Sequence, residues 1–301
     1  MQRVVGVDAG GSRVTAVVST AYGAEWFGHA DSANIRTVGL ERAVDAIASA
    51  VERTGLGAPP SAIAVGAAGV GNATAATALR RALERRFPGT RIAVYEDAVI
   101  ALRAGVPTGD ALALIAGTGS VAYAEIGAER FRVGGYGYLI GDEGAGFSIG
   151  SATVRLLLRS YDGRAPHDAF LQAAALMLGV SNAQETIARI YDAQRPVSEL
   201  ATLAPLTIAH AGAGERSAAK IVQAAALELF ELIKALVRCT GIETRALPLL
   251  FAGGLLAENT LLTYLLETRV SNELPNLIPL KQAPAPCLGA LALARALVQE
   301  S

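Results

Sequence analysis

Two short glycine-rich turns carry the residues best suited to chemistry. In the first turn, Asp8 closes the apolar run that starts at Val4 and is followed by Gly10, Gly11 and Ser12. Residues without a Cβ let backbone N–H groups approach an anion closely, and a nest of such donors binds phosphate. A neighbouring carboxylate is a ligand that suits Mg²⁺. The stretch therefore predicts either a phosphate loop with a metal ligand, or an ordinary Gly-Gly turn with a surface aspartate.

A second turn with the same pattern lies about a hundred residues further along. The apolar run Ala111–Ala116 leads into Gly117-Thr118-Gly119-Ser120, and Val121–Ile126 follows. Apolar β-branched runs around a glycine turn indicate a β-hairpin. Two such hairpins facing each other could hold the phosphates of a nucleotide. The alternative for this turn is a tight hairpin with no ligand.

A pair of acids, Glu96 and Asp97, separates the strand-like run Arg91–Tyr95 from a helical pattern that ends near Arg103. Phosphoryl transfer requires a positioned acceptor oxygen and neutralised phosphate charge more than covalent chemistry. A carboxylate within reach of an acceptor hydroxyl orients it and takes its proton. Asp97 is a candidate for this role, and spacing alone does not exclude Glu96. Asp97 could instead cap the helix that begins near Ala98.

The elements that position these residues follow the order βββαβαβα in the first third of the chain. Three strands in a meander followed by crossover units make a mixed sheet, the arrangement of ribonuclease H-like domains. The predicted segments are strands Val4–Asp8, Val14–Val18, Ala24–Ala30, Ala62–Ala68 and Arg91–Tyr95, and helices Val38–Thr54, Asn72–Phe87 (capped by Asn72) and Glu96–Arg103.

The opening pattern recurs after a plausible boundary at Val106–Asp110, and the second half then becomes mostly helical. We therefore predict domains at residues 1–108 and 109–286, with a final helix at about 287–301 able to pack back on the first. The predicted segments are strands Ala111–Ala116, Val121–Ile126, Phe131–Val133, Leu249–Gly254 and Leu277–Leu280, and helices Phe147–Ser160, Ala169–Leu178, Ala183–Ala193, Glu199–Ala211, Gly214–Cys239, Asn259–Thr268 and one from Leu288.

Composition narrows the class of protein. Of the 301 residues, 52% are hydrophobic and 18% are charged, which permits large cores and argues against disorder. The net charge of −1, without a long basic block, disfavours a nucleic acid or a membrane surface as partner. With no signal-peptide pattern and no apolar span near 20 residues, we expect a cytoplasmic protein.

Five segments occur in an order that resembles a known family. They are Asp8-Ala9-Gly10-Gly11-Ser12, Glu96-Asp97-Ala98, Gly117–Ser120, Gly141-Asp142-Glu143-Gly144 and Gly253-Gly254. The chain is similar to the N-acetylglucosamine kinases of the BadF/BadG/BcrA/BcrD ATPase group, within the sugar kinase, heat-shock protein 70 and actin superfamily. The resemblance implies an α/β fold of two ribonuclease H-like (actin-like ATPase) domains, with ATP in an interdomain cleft and the sugar beside it.

The resemblance also implies a role for each matching position. Asp97 would be the catalytic base and Asp8 would hold Mg²⁺. The ATP-binding residues would be Gly10, Gly11, Ser12, Gly117, Thr118, Gly119, Gly212, Ala213, Gly253 and Gly254. The sugar-binding residues would be Asn34, Asp97, Ser120, Gly135, Tyr136, Gly137 and Asp142.

The predicted activity is ATP-dependent phosphorylation of N-acetylglucosamine or glucosamine at the 6-hydroxyl, by a possible homodimer. Arg36 stands where some of these kinases have an aromatic residue, which leaves another hexose or N-acetylmuramic acid open as acceptor. Two further alternatives are a non-catalytic, actin-like nucleotide-binding protein and an ATPase that activates a partner enzyme. Such activators hold an iron–sulfur cluster through cysteines, and Cys239 and Cys287 do not match that pattern.

Overall fold

Two five-stranded β-sheets organise the part of the chain that the structure, a computed structural model, describes: residues 3–11, 13–19, 25–71, 73–192, 198–280 and 284–299. The chain divides into two compact units. The first comprises Met1–Gly109 together with Ala283–Ser301, and the second comprises Asp110–Gln282.

The sheet of the first unit has the strand order β3-β2-β1-β4-β5. The first three strands pair antiparallel, whereas β4 pairs parallel to both β1 and β5. This is the mixed sheet that the sequence predicts. The elements of this unit are β1 (Val4–Ala9), β2 (Val14–Ser19), β3 (Glu25–Ala30), α1 (Ile35–Val38), α2 (Leu40–Glu52), β4 (Ala62–Ala67), α3 (Ala73–Arg86), β5 (Arg91–Glu96), α4 (Asp97–Gly105) and α12 (Pro286–Gln299).

Helices cover both faces of this sheet, because its central strands alternate between two apolar faces. Helices α2 and α3 bury Ile47 and Leu79 against one face. Helix α12 packs on the other face, against β1, β4 and α4. Close approach there depends on Gly6, because a Cβ at this position would lie 2.2 Å from the backbone nitrogen of Leu291.

The second unit repeats the mixed sheet, with the strand order β10-β9-β6-β7-β8. Helices α5 and α10 pack together and enclose its main apolar core with the sheet. Its elements are β6 (Ala111–Ala116), β7 (Ser120–Ile126), β8 (Glu129–Gly134), α5 (Gly146–Tyr161), α6 (Ala169–Leu178), α7 (Ala183–Ile190), α8 (Ser198–Ala201), α9 (Leu203–Gly212), α10 (Arg216–Thr240), β9 (Leu247–Ala252), α11 (Leu261–Glu273) and β10 (Leu277–Leu280).

The predicted strands all occur, but some helix boundaries differ. The helix predicted over Glu199–Ala211 is two helices, α8 and α9, interrupted at Thr202. The loop predicted around Asn34 contains the short helix α1. The predicted cap Asn72 and the predicted end of α7 at Ala193 lie outside the described residues. Among the described helices, none is both long and apolar enough to cross a membrane.

Candidate functional site

The first glycine turn joins β1 to β2 and is closed by its own backbone. The N–H of Gly10 donates to the carbonyl oxygen of Arg13 at 3.1 Å, and the carbonyl of Gly10 accepts from Ala33 at 3.2 Å. Gly11 is exposed at the tip. Because Gly10 uses its N–H to close the turn, an anion at this loop would depend on the donors that follow it, beginning with Gly11. Ser12 lies outside the described residues.

Asp8 projects from β1 beside this turn, and its surroundings disfavour its charge. Burial, together with the nearby charge of Asp97, raises the pKa of Asp8 to about 6, and the charge of Arg13 offsets part of this rise. Asp8 shares the face of β1 that carries Gly6, the face packed by α12. The two carboxylates Asp8 and Asp97 are therefore neighbours, although 89 positions separate them in the sequence.

Asp97 is the first residue of α4, and its position is set by a buried helix. The next five residues, Ala98–Leu102, are buried, whereas Asp97 itself is exposed. Its Oδ1 accepts a hydrogen bond from the N–H of Ala98 at 2.9 Å. The cap position belongs to Glu96, whose side chain makes no capping hydrogen bond. The N-cap position is thus Glu96, whereas Asp97, one residue later, accepts one N–H of the first turn and has an exposed side chain.

Asn34 lies against the first glycine turn. Its Oδ1 accepts from the N–H of Arg36 at 3.0 Å, which makes it the N-cap of α1. A Cβ at Gly69 would lie 2.6 Å from that oxygen, and a Cβ at Gly11 would lie 3.9 Å from the Asn34 amide nitrogen. The Oδ1 of Asn34 therefore binds the backbone, while its amide nitrogen lies on the side of the glycine turn.

The second glycine turn, Gly117–Ser120, is fastened to the start of α5. Backbone N–H groups of Gly146 and Phe147 donate to the carbonyls of Gly117 and Thr118, at 2.8 and 3.1 Å. The Ser120 hydroxyl, which is buried, donates to the carbonyl of Glu143 at 2.8 Å. These bonds join the predicted phosphate loop and the segment around Asp142 into one piece, with Thr118 exposed at its tip.

Asp142 contacts this turn through its carboxylate. A Cβ at Gly119 would lie 2.6 Å from Asp142 Oδ2, so the carboxylate occupies the space that the glycine leaves open. Burial raises the pKa of Asp142, against hydrogen bonds from the backbone N–H groups of Ser120 and Gly137. Its φ of 57° is the left-handed conformation, which is uncommon outside glycine. Such strain occurs at functional sites when the surroundings enforce it.

The glycine-rich segment before Asp142 is largely exposed. Gly135 and Gly137 have φ values of +70° and +94°, and the carbonyl of Gly135 accepts from Arg132 at 3.0 Å. Tyr136, between them, has 73% of its surface exposed. The backbone is therefore held in place while the tyrosine ring remains available to a ligand.

Gly212 and Gly254 line one pocket of about 450 Å³ in the second unit, although 42 positions separate them. Its walls are mostly apolar and include Pro205, Ile208 and Leu255, while Glu258, Asn259 and Thr260 add polar groups. The neighbouring Gly253 has φ +89°, and a Cβ there would lie 2.3 Å from the Ala116 carbonyl oxygen. The pocket thus adjoins the end of β6, where the second glycine turn begins.

The donor set at Asp8 fits a magnesium ion that also contacts phosphate oxygens. Mg²⁺ in such sites uses one or two carboxylates, with water and phosphate completing its shell. Asp8 supplies a carboxylate oxygen, and a cation bound to it would relieve its repulsion with the nearby Asp97. A complete protein-built metal cage is absent, because no three acids, histidines or cysteines cluster among the residues described.

The structure brings most predicted residues into local groups within each unit. Asp8, Gly10, Gly11, Asn34 and Asp97 form one group in the first unit. In the second unit, Gly117–Ser120 joins Asp142, whereas Ala213 is an exposed residue at the end of α9. Sequence reasoning missed Arg13, whose charge acts on Asp8; a cation directly after a glycine turn was the available signal.

Comparisons with known proteins place these features in context. The sequence profile of the BadF/BadG/BcrA/BcrD ATPase family matches residues 5–294. An N-acetylmuramic acid/N-acetylglucosamine kinase of Clostridium acetobutylicum is 28% identical over 264 residues, which is 85% of this chain and 86% of that protein. A glucosamine kinase of Vibrio cholerae is 32% identical over 175 residues, covering 56% and 58% of the two chains.

A solved structure shares the fold over nearly the whole chain. A candidate N-acetylglucosamine kinase from Chromobacterium violaceum has a TM-score of 0.78 at 23% identity, covering 98% of this chain and 99% of its own. The predicted α/β fold, with two ribonuclease H-like sheets, is confirmed by this likeness and by the two observed sheets.

Proposed function

Because this chain belongs to the BadF/BadG/BcrA/BcrD ATPase family, we propose that it transfers the γ-phosphoryl group of ATP to a hydroxyl of an amino sugar. It is a sugar kinase that uses ATP, as the sequence predicts and as the names of its curated relatives bear out. The proposed acceptor is N-acetylglucosamine or glucosamine, at the 6-hydroxyl.

One observation carries the proposed chemistry: an exposed carboxylate, Asp97, is fixed at the start of a buried helix beside the half-buried Asp8. In the proposed mechanism Asp97 accepts a hydrogen bond from the sugar hydroxyl and takes its proton as the bond to phosphorus forms. Asp8 would hold Mg²⁺, which neutralises phosphate charge. Glu96 is the rival base, but it is half-buried at the cap position of α4.

Substrate positions are proposed from the local geometry. The pocket lined by Gly212 and Gly254 would hold adenosine against apolar walls, and the turn Gly117–Ser120 would receive the phosphates. Asp142 and Tyr136 would contact the sugar, since a carboxylate accepts hydroxyl hydrogen bonds and a tyrosine ring covers a sugar face. Ser120 would act indirectly, because its hydroxyl already binds the Glu143 carbonyl.

A second acceptor has specific support. The relative from Clostridium acetobutylicum is named for N-acetylmuramic acid as well as N-acetylglucosamine, and it matches 85% of this chain. We therefore propose N-acetylmuramic acid as the alternative substrate.

The deciding experiment measures ADP release with a coupled assay over N-acetylglucosamine, glucosamine, N-acetylmuramic acid, N-acetylmannosamine and glucose, with the phosphorylated position assigned by NMR. We expect kcat/KM to be highest for one of the first two sugars. ADP release that does not depend on any sugar would contradict a sugar kinase. Sedimentation and cell fractionation would test the proposed homodimer and cytoplasmic location.

A further inference from the structure

A charged groove in the second unit has no part in the proposed reaction. Its volume is about 790 Å³, within the range of small-molecule sites, and it lies between α5 and α10. Gly144 packs against Ala225, and the Ser217 hydroxyl binds Asp168, so the two helices run antiparallel along the groove. From Ser148 to Arg159 on α5 the groove extends for roughly 16 Å, at about 1.5 Å per residue.

The two ends of the groove carry opposite charge. Glu143 and Glu228 line the end nearest the start of α5. The other part is lined by four cations of the two helices, Arg155 and Arg159 on α5 and Arg216 and Lys220 on α10. Arg164 and Asp168, which lie between α5 and α6, also line it.

Each of the four cations is placed unfavourably for the free protein. Arg155 and Arg159 are four residues apart on one helix, as are Arg216 and Lys220, and like charges at this spacing repel. Arg216 is also the first residue of α10, where the helix dipole disfavours a cation. A bound anion would relieve all three conflicts at once.

Protein acids neutralise this cluster only in part, through Asp168 in the groove and the electrostatic interaction of Arg159 with Asp162. Arg155, Arg216 and Lys220 form no ion pair with any residue that the structure describes. Two other charged residues of the groove are already engaged: Arg164 binds the carboxylate of Asp162, and Asp168 caps α6 and accepts from Ser217. Asp168 keeps its negative charge while it accepts these hydrogen bonds, but the four cations of the two helices outnumber it, so net positive charge is left for a ligand.

The floor of the groove is apolar, formed by Ile149, Leu156 and Ile221. A ligand that matches all these features carries a doubly negative group at one end, a body that covers apolar surface, and hydrogen-bond donors at the other end. We propose that the groove binds a phosphate monoester whose body bears hydroxyl or amino groups, with the phosphate among the four cations and the donors near Glu143 and Glu228.

The groove is separate from the candidate sugar site. Asp142 directs its carboxylate to Gly119 and the second glycine turn, whereas the groove begins one residue later, at Glu143. An amino sugar phosphate belongs to the proposed class of ligand. If the proposed function holds, the groove would therefore bind the kind of molecule that the enzyme produces. The binding itself requires no turnover, so it can be tested whatever the enzyme phosphorylates.

Calorimetry on the full-length protein provides the test, with glucosamine 6-phosphate as the probe and glucosamine and sulfate as comparison ligands at constant ionic strength. We expect saturable binding of the phosphate ester with a Kd below about 1 mM. Lys220→Gln and Arg155→Gln should each weaken it by about tenfold, because each removes a charged hydrogen bond. Arg238→Gln, an exposed cation of α10 that does not line the groove, is the matched control and should leave the Kd unchanged.

Three outcomes would overturn the proposal. They are no saturable binding, equal binding of sulfate and the ester, or binding that both groove variants leave intact. Asp142→Asn separates the two sites: if it abolishes binding while the groove variants do not, the ester occupies the candidate sugar site and the groove proposal fails. A failed sugar screen would not affect this result, because the measurement is made without ATP.

Discussion

Asp97 combines exposure with a fixed backbone, which is what a general base needs. Helix α4 buries the five residues that follow it, so the carboxylate cannot drift far from its position. Glu96 is adjacent in sequence but occupies the cap position and is half-buried. Both residues carry a carboxylic acid, and their surroundings differ. Substitution of each by its matching amide therefore separates their roles.

Asp97→Asn should lower kcat by on the order of 10² or more while KM for ATP and sugar changes little. The amide keeps the size of the side chain and its ability to accept from Ala98, but it cannot take a proton. Steady-state kinetics measures this. Glu96→Gln is the matched control, and a larger loss of kcat in that variant would transfer the role to Glu96.

Asp142→Asn should change stability in a pH-dependent way. Burial raises the pKa of Asp142 above its ordinary value, so its contribution to stability is fully present below the unfolded pKa and is lost as pH rises through the folded pKa. The amide removes this loss, and asparagine tolerates the left-handed φ. The melting temperature of the variant minus that of the parent should therefore increase as the pH rises from 4 to 8.

Asp162→Asn is the control, because its stability relative to the parent should change with pH in the opposite direction. The hydrogen bond from Arg164 lowers the pKa of Asp162, so its contribution is present above the unfolded pKa and is lost in acid. Thermal unfolding should show this variant becoming less stable than the parent as pH rises. If the stability of both variants follows the same pH trend, burial does not determine the pKa of Asp142.

At the scale of secondary-structure elements, most residues of the candidate site lie in loops that backbone contacts hold in place. Gly253 and Gly254 are adjacent, yet their surroundings differ. A Cβ at Gly253 would meet the Ala116 carbonyl oxygen at 2.3 Å, whereas a Cβ at Gly254 would meet nothing within 4 Å. Gly253 therefore serves the fold, and Gly254 leaves space in the pocket proposed for adenosine.

Gly254→Ala should raise KM for ATP by about tenfold, because the added methyl group enters a pocket that the ligand is proposed to fill. The free energy of unfolding should stay within about 0.5 kcal/mol of the parent's. Gly253→Ala should instead destabilise the protein by about 1–3 kcal/mol, through the backbone clash and its φ of +89°. An unchanged KM in Gly254→Ala would place adenosine elsewhere.

Elements that depend on local pattern could be predicted from the sequence, and contacts between distant residues could not. Apolar runs specify strands and apolar periodicity specifies helices, so the strand Leu277–Leu280 and the helix Ala169–Leu178 have the predicted bounds. The break at Thr202 has no glycine or proline at that position to mark it. The carboxylate of Asp142 against Gly119 and the cations shared by α5 and α10 arise from packing, which single-chain periodicity does not encode.

At the scale of the whole molecule, helix α12 belongs to the same compact unit as β1, although the entire second unit separates them in the sequence. It packs on β1 at Gly6 and on α4 at Gly289, where a Cβ would lie 2.0 Å from the Ile100 carbonyl oxygen. Backbone atoms stand on both sides of these contacts, so neither position can accept a side chain without moving the helix.

Gly6→Ala should therefore destabilise the first unit selectively. A Cβ there would lie 2.2 Å from Leu291 N and 2.4 Å from the Cys287 carbonyl oxygen, so α12 must shift, at a cost of about 1–3 kcal/mol. Chains with two units need not unfold in one step. In hydrogen-exchange measurements, amides of β1, β4 and α12 should lose protection while those of β6 and α10 keep theirs. Equal losses throughout would mean that the chain unfolds as one cooperative body, and no loss would mean that α12 does not need the close approach at Gly6.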